Sequence, residues 1–218
     1  MPRKRVAILI SGRGSNMGAL IEAAKAGDYP AEIAVVISNR PDAAGLARAA
    51  VAGIETVTID HTRFGADREA FERALHRELH RDIDIVCLAG FMRLLTPWLP
   101  RQWADRMLNI HPSLLPAFKG LHTHEAALRA GVRIHGATVH FVVPEVDSGP
   151  IICQGAVTVH NDDTAQTLAD RVLAVEHRLY PLALRLVAEG RVRIKDGRCI
   201  ITGMAPGGGV LIAPDGMH

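Results

Sequence analysis

The feature that most constrains the fold is the alternation, along the first half of the chain, of short apolar runs with helical stretches. The apolar runs predict strands at Val6–Ile10, Ile33–Ser38, Glu55–Ile59 and Ile83–Ala89. The stretches between them carry apolar residues at helical spacing and predict helices at Asn16–Ala26, Ala43–Ala52 and Asp67–His80. Repeats of this kind build a parallel sheet covered by helices on both faces, and ligands bind beyond the carboxyl ends of its strands.

The second half of the chain predicts further extended segments and fewer helices. Three segments between Pro- and Gly-containing turns are predicted to be extended: Met107–His111, Ile134–Val143 and Ile151–Val159. A long helix is predicted at Thr164–Glu189, and a small hairpin follows at Val192–Ile194 and Cys199–Ile201. The expected fold is therefore α/β, Rossmann-like and doubly wound, with a mostly parallel sheet and antiparallel additions in the C-terminal half.

Composition excludes several functional classes. The 218 residues predict one domain over 1–203, followed by a loose Gly- and Pro-rich tail at 204–218. A net charge of +2 is too even for a nucleic-acid-binding protein. The longest apolar stretch, Ile85–Met92, is too short to span a bilayer, and no secretory pattern follows the basic start, so a cytoplasmic location is expected. Three cysteines, at 87, 153 and 199, lack metal-binding spacing and are predicted to be buried small hydrophobic residues.

A glycine-rich loop, Ser11–Asn16, links the first predicted strand to the first predicted helix. Free backbone N–H groups at such a helix start favour a phosphate. The dinucleotide fingerprint fails, because Met17 stands where a third glycine is needed and Ser38-Asn39-Arg40 where an acidic residue is needed. The expected ligand is a monophosphate held by Gly14, Ser15 and Asn16, and the alternative is a tight turn that binds nothing.

The segment Leu108-Asn109-Ile110-His111-Pro112 carries the strongest chemical signal. Residues two apart in a strand face the same side, so Asn109 and His111 are predicted to face one cavity. Both side chains can donate hydrogen bonds to a carbonyl oxygen on which negative charge develops, which suits acyl transfer. Asp147, in a turn between two predicted strands, is the candidate carboxylate partner of His111. The alternative is that His111 is a core histidine and Asp147 only caps its turn.

Other histidines do not predict a metal site. His76 and His80 have helical i, i+4 spacing, but the order of the surrounding residues differs from the zinc-binding H-E-x-x-H motif, so both are expected on a solvated face. His122 and His124 lie beside a glycine and a predicted helix start, where loop packing or substrate contact is expected. No catalytic metal is expected.

Six collinear segments together resemble the phosphoribosylglycinamide formyltransferases of the folate-dependent formyltransferase family. The resemblance covers residues 5–203, within the predicted domain. The segments are Ser11–Asn16, Leu88–Arg93, Asn109–Pro116, Gly120–His124, Asp147–Pro150 and Glu176–Pro181. One departure is Arg13 in the glycine loop, where relatives often carry a small polar residue; it either adds a phosphate contact or points to solvent.

The resemblance implies that the formyl group of 10-formyltetrahydrofolate passes to the amine of 5'-phosphoribosylglycinamide in purine biosynthesis. His111 would then be the proton donor, Asp147 would favour its protonated form, and Asn109 would assist. The residues implied for the phosphoribosylglycinamide are Gly14, Ser15, Asn16 and Glu176. Those implied for the formyl folate are Arg68, Met92, Arg93, Leu94, Leu95 and Asn109. The expected partners are these small molecules and, in a homodimer, a second copy of the chain, without nucleic acid or membrane.

Related functions share the Asn-His-Asp set, which specifies the reaction better than the substrate. A methionyl-tRNA formyltransferase carries a further C-terminal domain, for which 218 residues leave no room. A formyltetrahydrofolate deformylase usually carries an N-terminal regulatory domain, whereas the first predicted strand here starts at about residue 5. A formyltransferase acting on a sugar amine fits the glycine loop less well. The alternative outside catalysis is a module that only binds folate or a phosphorylated ribose, although all three residues of the set are present.

Overall fold

The computed structural model describes residues 2–80, 82–203 and 213. The tail predicted at 204–218 lies, apart from Ala213, outside the described residues. Among the described residues, no helix is both long enough and apolar enough to cross a membrane.

A seven-stranded sheet forms the centre of the protein. Its strands are β1 Lys4–Ile10, β2 Ala31–Ser38, β3 Glu55–Thr58, β4 Ile85–Leu88, β5 Met107–His111, β6 Ile134–Phe141 and β7 Ile151–Thr158. Their order in space is β3-β2-β1-β4-β5-β6-β7. The first five strands pair in parallel, whereas β6 and β7 are antiparallel. The predicted fold class is therefore confirmed, and so is the small C-terminal hairpin, which consists of β8 Val192–Lys195 and β9 Arg198–Ile201.

Helices connect the strands and cover the sheet. They are α1 Ser15–Ala24, α2 Ala44–Val51, α3 Arg68–Leu79, α4 Trp98–Gln102, α5 Thr123–Ala130 and α6 Ala165–Ala188, with a 3₁₀ helix at His61–Phe64. A side chain caps the start of the longest helix, because the Thr164 hydroxyl oxygen accepts a hydrogen bond from the Thr167 N–H. The sequence did not predict α4, and of α5 it predicted only a helix start near His122 and His124. Neither helix has a side-chain cap, and α5 starts after His122 in the left-handed conformation, with a φ of 58°.

Two apolar layers hold the helices on the sheet, as doubly wound topology requires. Successive residues of β1 alternate between them: Val6, Ile8 and Ile10 join the layer that includes α1 and α6, while Ala7 and Leu9 join the layer that includes α3. Because β1 is an inner strand that is buried on both faces from Val6 to Ile10, its sequence there is a continuous apolar run and not an alternating one.

Two predictions about side chains need correction. Cys87 is buried as expected, but Cys153 and Cys199 are only partly buried, because β7 is an edge strand and β9 belongs to the terminal hairpin. His76 was expected on a solvated face; it is partly buried, and its Nδ1 lies 3.2 Å from the Trp103 indole N–H nitrogen.

The long helix α6 fixes the edge of the sheet at which ligands are expected. The Tyr180 hydroxyl, fully buried, lies 3.0 Å from the Leu88 carbonyl and 3.1 Å from the Leu108 carbonyl. One side chain thus contacts the backbones of β4 and β5 just before the loops that follow them. The ends of these two strands are held together where the candidate site lies.

Candidate active site

A cavity of about 800 Å³ opens at the carboxyl ends of β4 and β5. Loops after β4 and β6, the end of β5 and the start of α5 form its walls. The lining residues are 90–95, 109–112, 120–125 and 142–147, together with Asn16, Leu88, Pro100, His140 and Glu176. The cavity therefore lies where parallel α/β sheets bind their ligands.

Asn109 and His111 both line this cavity, as their spacing along β5 predicts. Their neighbours Leu108 and Ile110 belong to the apolar core. On the antiparallel neighbour β6, Asn109 is paired with His140 and His111 with Thr138. Three polar side chains and one hydroxyl are thus placed on one face of the β5–β6 pair.

His111 is buried, and both of its ring nitrogens face acceptors. Its Nε2 lies 2.9 Å from the Phe118 carbonyl oxygen, and its Nδ1 lies 3.4 Å from Asp147 Oδ2. A carbonyl can only accept, so Nε2 carries a proton. The distance from His111 Nδ1 to Asp147 Oδ2 is longer than a tight charge-assisted hydrogen bond, which measures about 2.7–2.9 Å. His111 Nδ1 is therefore available to a ligand oxygen.

Asp147 reaches His111 because of the backbone of the turn after β6. Asp147 has a φ of 49°, in the left-handed region, and its Oδ2 accepts a hydrogen bond of 2.9 Å from the Gly120 N–H. At Gly149, a Cβ would lie 1.8 Å from the Phe141 carbonyl oxygen, so only glycine fits there. The turn and the loop before α5 therefore meet at one carboxylate.

His140 belongs to the site, and the sequence reasoning missed it. Its Nε2 lies 3.3 Å from Asn109 Nδ2 and 3.9 Å from Asp147 Oδ1. Burial lowers the pKa of His140, although Asp147 opposes this effect. His135 and His140 are five residues apart on β6 and so face opposite sides of the strand. Which of the two meets Asn109 depends on strand register, which a single sequence does not reveal.

A second polar pair, Asn16 and Glu176, lies in the cavity wall. Asn16 Nδ2 donates a hydrogen bond of 2.7 Å to Glu176 Oε2, and both side chains are buried. Burial raises the pKa of Glu176, and the hydrogen bond from Asn16 acts in the opposite direction. The other amide oxygen, Asn16 Oδ1, is buried and has no hydrogen-bond partner among the described residues. A buried acceptor of this kind at a cavity wall suits a ligand that donates a hydroxyl or amine proton.

The glycine loop precedes Asn16 and starts α1. Gly14 is the N-cap residue with a φ of 67°, and no side chain caps the helix. The first-turn N–H groups are therefore free of a side-chain acceptor, as a phosphate site needs. Gly14 and Ser15 do not themselves line the cavity, whereas Asn16 does. Arg13 is exposed, and the Arg48 guanidinium donates to its backbone carbonyl at 3.2 Å.

The loop after β4 supplies an apolar mouth for the cavity. Met92 and Leu94 are 66% and 63% exposed, and Leu121 and Val146 from other loops are also largely exposed at the same mouth. Exposed apolar side chains that converge on one opening indicate a ligand with an apolar face. Leu95 and Arg93 also line the cavity, and Arg93 Nε is buried without a hydrogen-bond partner among the described residues.

Arg68 is placed differently from the other residues implied for the folate. It is the first residue of α3, it is exposed, and it does not line the cavity. His122 and His124 do line the cavity, and His122 Nδ1 lies 3.6 Å from Glu125 Oε1. Within the described part of the chain, no group of three or more His, Cys, Asp or Glu side chains is arranged to hold a metal ion.

An amide, an imidazole and a carboxylate at the carboxyl edge of a doubly wound sheet define a site of the acyl-transfer class. Comparison with known families narrows this class. Residues 4–184 match the model of the formyl transferase family, and the chain belongs to that family.

Relatives of similar length and longer relatives both match the chain. It is 44% identical, over 91% of its length and 93% of the relative's, to a phosphoribosylglycinamide formyltransferase of Escherichia coli (strain K12). It is 51% identical to a trifunctional purine biosynthetic protein adenosine-3 of Bos taurus, over 92% of this chain but only 20% of that relative. The chain thus spans a small part of the trifunctional relatives.

Solved structures agree with the fold. A glycinamide ribonucleotide transformylase 1 from Symbiobacterium toebii superposes with a TM-score of 0.88 at 48% identity, covering 91% of this chain and 94% of the other. A formyltetrahydrofolate deformylase from Pseudomonas syringae pv. tomato superposes with a TM-score of 0.83 at 30% identity, covering 91% of this chain and 66% of the other.

Proposed function

We propose that this protein transfers the formyl group of 10-formyltetrahydrofolate to the amine of 5'-phosphoribosylglycinamide, giving formylglycinamide ribonucleotide and tetrahydrofolate. The observation that carries the proposal is the convergence of Asn109, His111 and Asp147 on a cavity whose wall also holds the buried Asn16–Glu176 pair. Asn109, His111 and Asp147 suit the chemistry of formyl transfer. The Asn16–Glu176 pair suits an acceptor substrate whose hydroxyl or amine groups donate hydrogen bonds. The names of relatives that match along nearly their whole length support formyl transfer to the same acceptor substrate.

In the proposed first step, the amine nitrogen attacks the formyl carbon, and a new C–N bond forms. The formyl oxygen becomes negatively charged in the tetrahedral intermediate. Asn109 and His111 supply N–H donors to this oxygen. Loss of one such donor typically slows turnover by about a hundred- to a thousandfold.

In the second step, the bond from the formyl carbon to N10 of the folate breaks. The attacking amine loses a proton, and N10 gains one, so that tetrahydrofolate leaves neutral at this nitrogen. Asp147, whose Oδ2 lies 3.4 Å from His111 Nδ1, relays this proton from the amine to N10 through His111 or a water molecule. General acid–base catalysis of this kind contributes about a hundred- to a ten-thousandfold.

The two substrates enter from different sides in this proposal. Asn16 and Glu176 contact the ribose side of the phosphoribosylglycinamide, and the N–H groups of Gly14 and Ser15 bind its phosphate. The folate enters through the apolar mouth, where Met92, Arg93, Leu94 and Leu95 contact it together with Asn109. Arg68 contacts the folate only where it extends beyond the cavity. No metal takes part. The cytoplasmic location and the homodimer expected from the sequence remain predictions.

A hydrolytic function, deformylation of the folate, is the second candidate, because a deformylase shares the fold. Water would then replace the amine at the same oxyanion site. The test is the absorbance change of 10-formyltetrahydrofolate with purified protein, with and without the ribonucleotide. Formyl loss that needs the ribonucleotide supports transfer; equal loss without it supports hydrolysis. No loss in either sample contradicts both and favours another acceptor amine or a binding module.

A further inference from the structure

We propose that His140 is a positioning residue that holds the Asn109 amide in the one orientation able to donate to the formyl oxygen. The inference deepens the proposed function and rests on it. His140 itself contacts no reacting atom in this account. It acts through Asn109, and its test therefore needs a readout that a purely structural role would not change.

The hydrogen bonds of the His140 ring determine which nitrogen carries the proton. Its Nδ1 lies 2.8 Å from the Phe141 carbonyl oxygen, which can only accept, so Nδ1 carries the proton. In the neutral ring, Nε2 is then an acceptor. Asn109 Nδ2, 3.3 Å away, donates to it. With this tautomer, the hydrogen bond can run only from the Asn109 amide N–H to His140 Nε2.

The contact selects one of the two orientations of the Asn109 amide. If the amide were flipped by 180°, its oxygen would face the lone pair of His140 Nε2, and the two acceptors would repel. In the observed orientation, one N–H of the amide is used by His140, and the second N–H is left for a substrate oxygen. An amide that was free to flip would present its own carbonyl oxygen to the developing negative charge for part of the time.

The fold places His140 opposite Asn109 for a structural reason. The two residues are direct partners in the antiparallel β5–β6 pair. On the other side of β6, the register with β7 shifts between Val139 and His140, so that β7 is irregular next to this residue. Irregularities of this kind next to active sites re-aim a side chain. His140 is 2% exposed, so water does not replace it as the partner of Asn109.

Charged groups around His140 define what protonation would do. Asp147, His111 and Lys119 face it from the turn after β6, from β5 and from the loop before α5. Burial lowers the pKa of His140 from 6.5, so the ring is neutral and accepting at neutral pH. A proton on Nε2 would convert this acceptor into a donor directed to Asp147 Oδ1, 3.9 Å away, and would break the contact with Asn109.

The kinetic test compares His140→Leu, which removes the acceptor, with His140→Gln, whose side-chain oxygen can accept from Asn109. We expect His140→Leu to lower kcat by about 10- to 100-fold, with both KM values near those of the wild type, and His140→Gln to restore most of this loss. In an Asn109→Ala background, His140→Leu should cause little further loss. The matched control is His135→Leu, a substitution on the same strand but without contact to Asn109. It should change kcat by the same factor in the wild type and in the Asn109→Ala background.

An equal loss for His140→Leu with and without Asn109 would overturn the proposal, as would a His140→Gln variant as impaired as His140→Leu. A measurement that needs no turnover tests this proposal independently of the proposed function. It uses His140→Gln, so it can be made even if His140→Leu does not fold. The side-chain amide signal of Asn109, assigned by its loss in Asn109→Ala, is followed by NMR in substrate-free protein. It should shift as His140 titrates in the wild type but not in His140→Gln. An Asn109 signal with the same acid shift in both proteins would refute the contact, whatever substrate the enzyme uses.

Discussion

Asn16 and Glu176 are 160 residues apart in the chain, yet the Asn16 amide donates a hydrogen bond of 2.7 Å to the Glu176 carboxylate in the cavity wall. The contact joins the start of α1 to the middle of α6, both of which pack on the same apolar layer. It brings the end of the glycine loop to a buried carboxyl group. The acceptor substrate of the proposed reaction would lie between these two elements.

Replacement of the Glu176 carboxylate should weaken binding of the ribonucleotide but remove a stability loss that the wild type undergoes as the pH rises. Glu176→Gln removes a charge that should bind the ribonucleotide, so KM for the ribonucleotide should rise while KM for the folate stays constant. Burial raises the pKa of Glu176 above 4.5, so the folded state binds a proton more readily than the unfolded state. The stability this group contributes is present below pH 4.5 and is lost as the pH rises through the raised pKa.

The free energy of unfolding of the wild type, relative to Glu176→Gln, should therefore fall as the pH rises from 4.5 to neutral. Urea unfolding of both proteins across this range measures the difference. A constant difference between the two proteins would show that the Glu176 carboxyl group titrates normally in the folded state.

His111→Ala should act on turnover and hardly on binding. The variant loses an N–H donor at the formyl oxygen, so kcat should fall by about a hundred- to a thousandfold while both KM values stay close to those of the wild type. The matched control is His160→Ala: His160 is exposed and outside the cavity lining, so both constants should be unaffected. A large rise in KM at normal kcat would contradict a chemical role for His111.

Asp147→Asn keeps the size of the side chain and an oxygen that can accept from the Gly120 N–H. It removes the negative charge next to His111 Nδ1 and a site that can accept the transferred proton. We expect kcat to fall by about a hundred- to a ten-thousandfold without loss of the fold. Steady-state kinetics measures the fall in kcat, and thermal unfolding tests whether the variant keeps its fold. A variant with kcat close to that of the wild type would exclude Asp147 from the proton transfer.

The buried His135 should make the protein sensitive to acid. Burial, with a further contribution from His124, lowers the pKa of His135 from 6.5 to about 4. The unfolded state therefore binds a proton more readily, and stability is lost as the pH falls from 6.5 toward 4. His135→Gln lacks this titration. Its free energy of unfolding should fall less over the same range than that of the wild type, and parallel curves for the two proteins would contradict the assignment.

Gly149→Ala tests the turn that carries Asp147. A Cβ at this position would lie 1.8 Å from the Phe141 carbonyl oxygen, so the turn must move. We expect a loss of more than about 3 kcal/mol in the free energy of unfolding, or a protein that does not fold. The matched control is Gly27→Ala, where a Cβ meets nothing within 4 Å. If both variants were equally stable, the close approach at Gly149 would not exist.

Local chemistry explains which features the sequence predicts. The apolar run of β1 and the spacing of Asn109 and His111 are periodic signals, so the fold class and the shared face of these two residues could be inferred without a structure. The helix α4 was missed, and only the start of α5 was expected, because neither helix has a polar cap and α5 follows a left-handed residue, His122. Periodicity alone does not give the bounds of such short helices.

Contacts between distant segments needed the structure or a resemblance. Glu176 was implied as a substrate residue only by its resemblance to a family motif, since nothing local to it indicates Asn16 as its partner. His140 was missed because its pairing with Asn109 depends on the register of β5 and β6. The Phe118 carbonyl that meets His111 Nε2 was missed as well, because a backbone group carries no sequence signal.

Formyl transfer to the ribonucleotide is tested directly with 10-formyltetrahydrofolate labelled with ¹³C in the formyl group. The protein is mixed with this donor and an excess of 5'-phosphoribosylglycinamide, and the products are separated by mass spectrometry. We expect one labelled formylglycinamide ribonucleotide for each tetrahydrofolate formed, and His111→Ala should slow the formation of both products equally. Label recovered as free formate, with the ribonucleotide unchanged, would contradict formyl transfer to this amine.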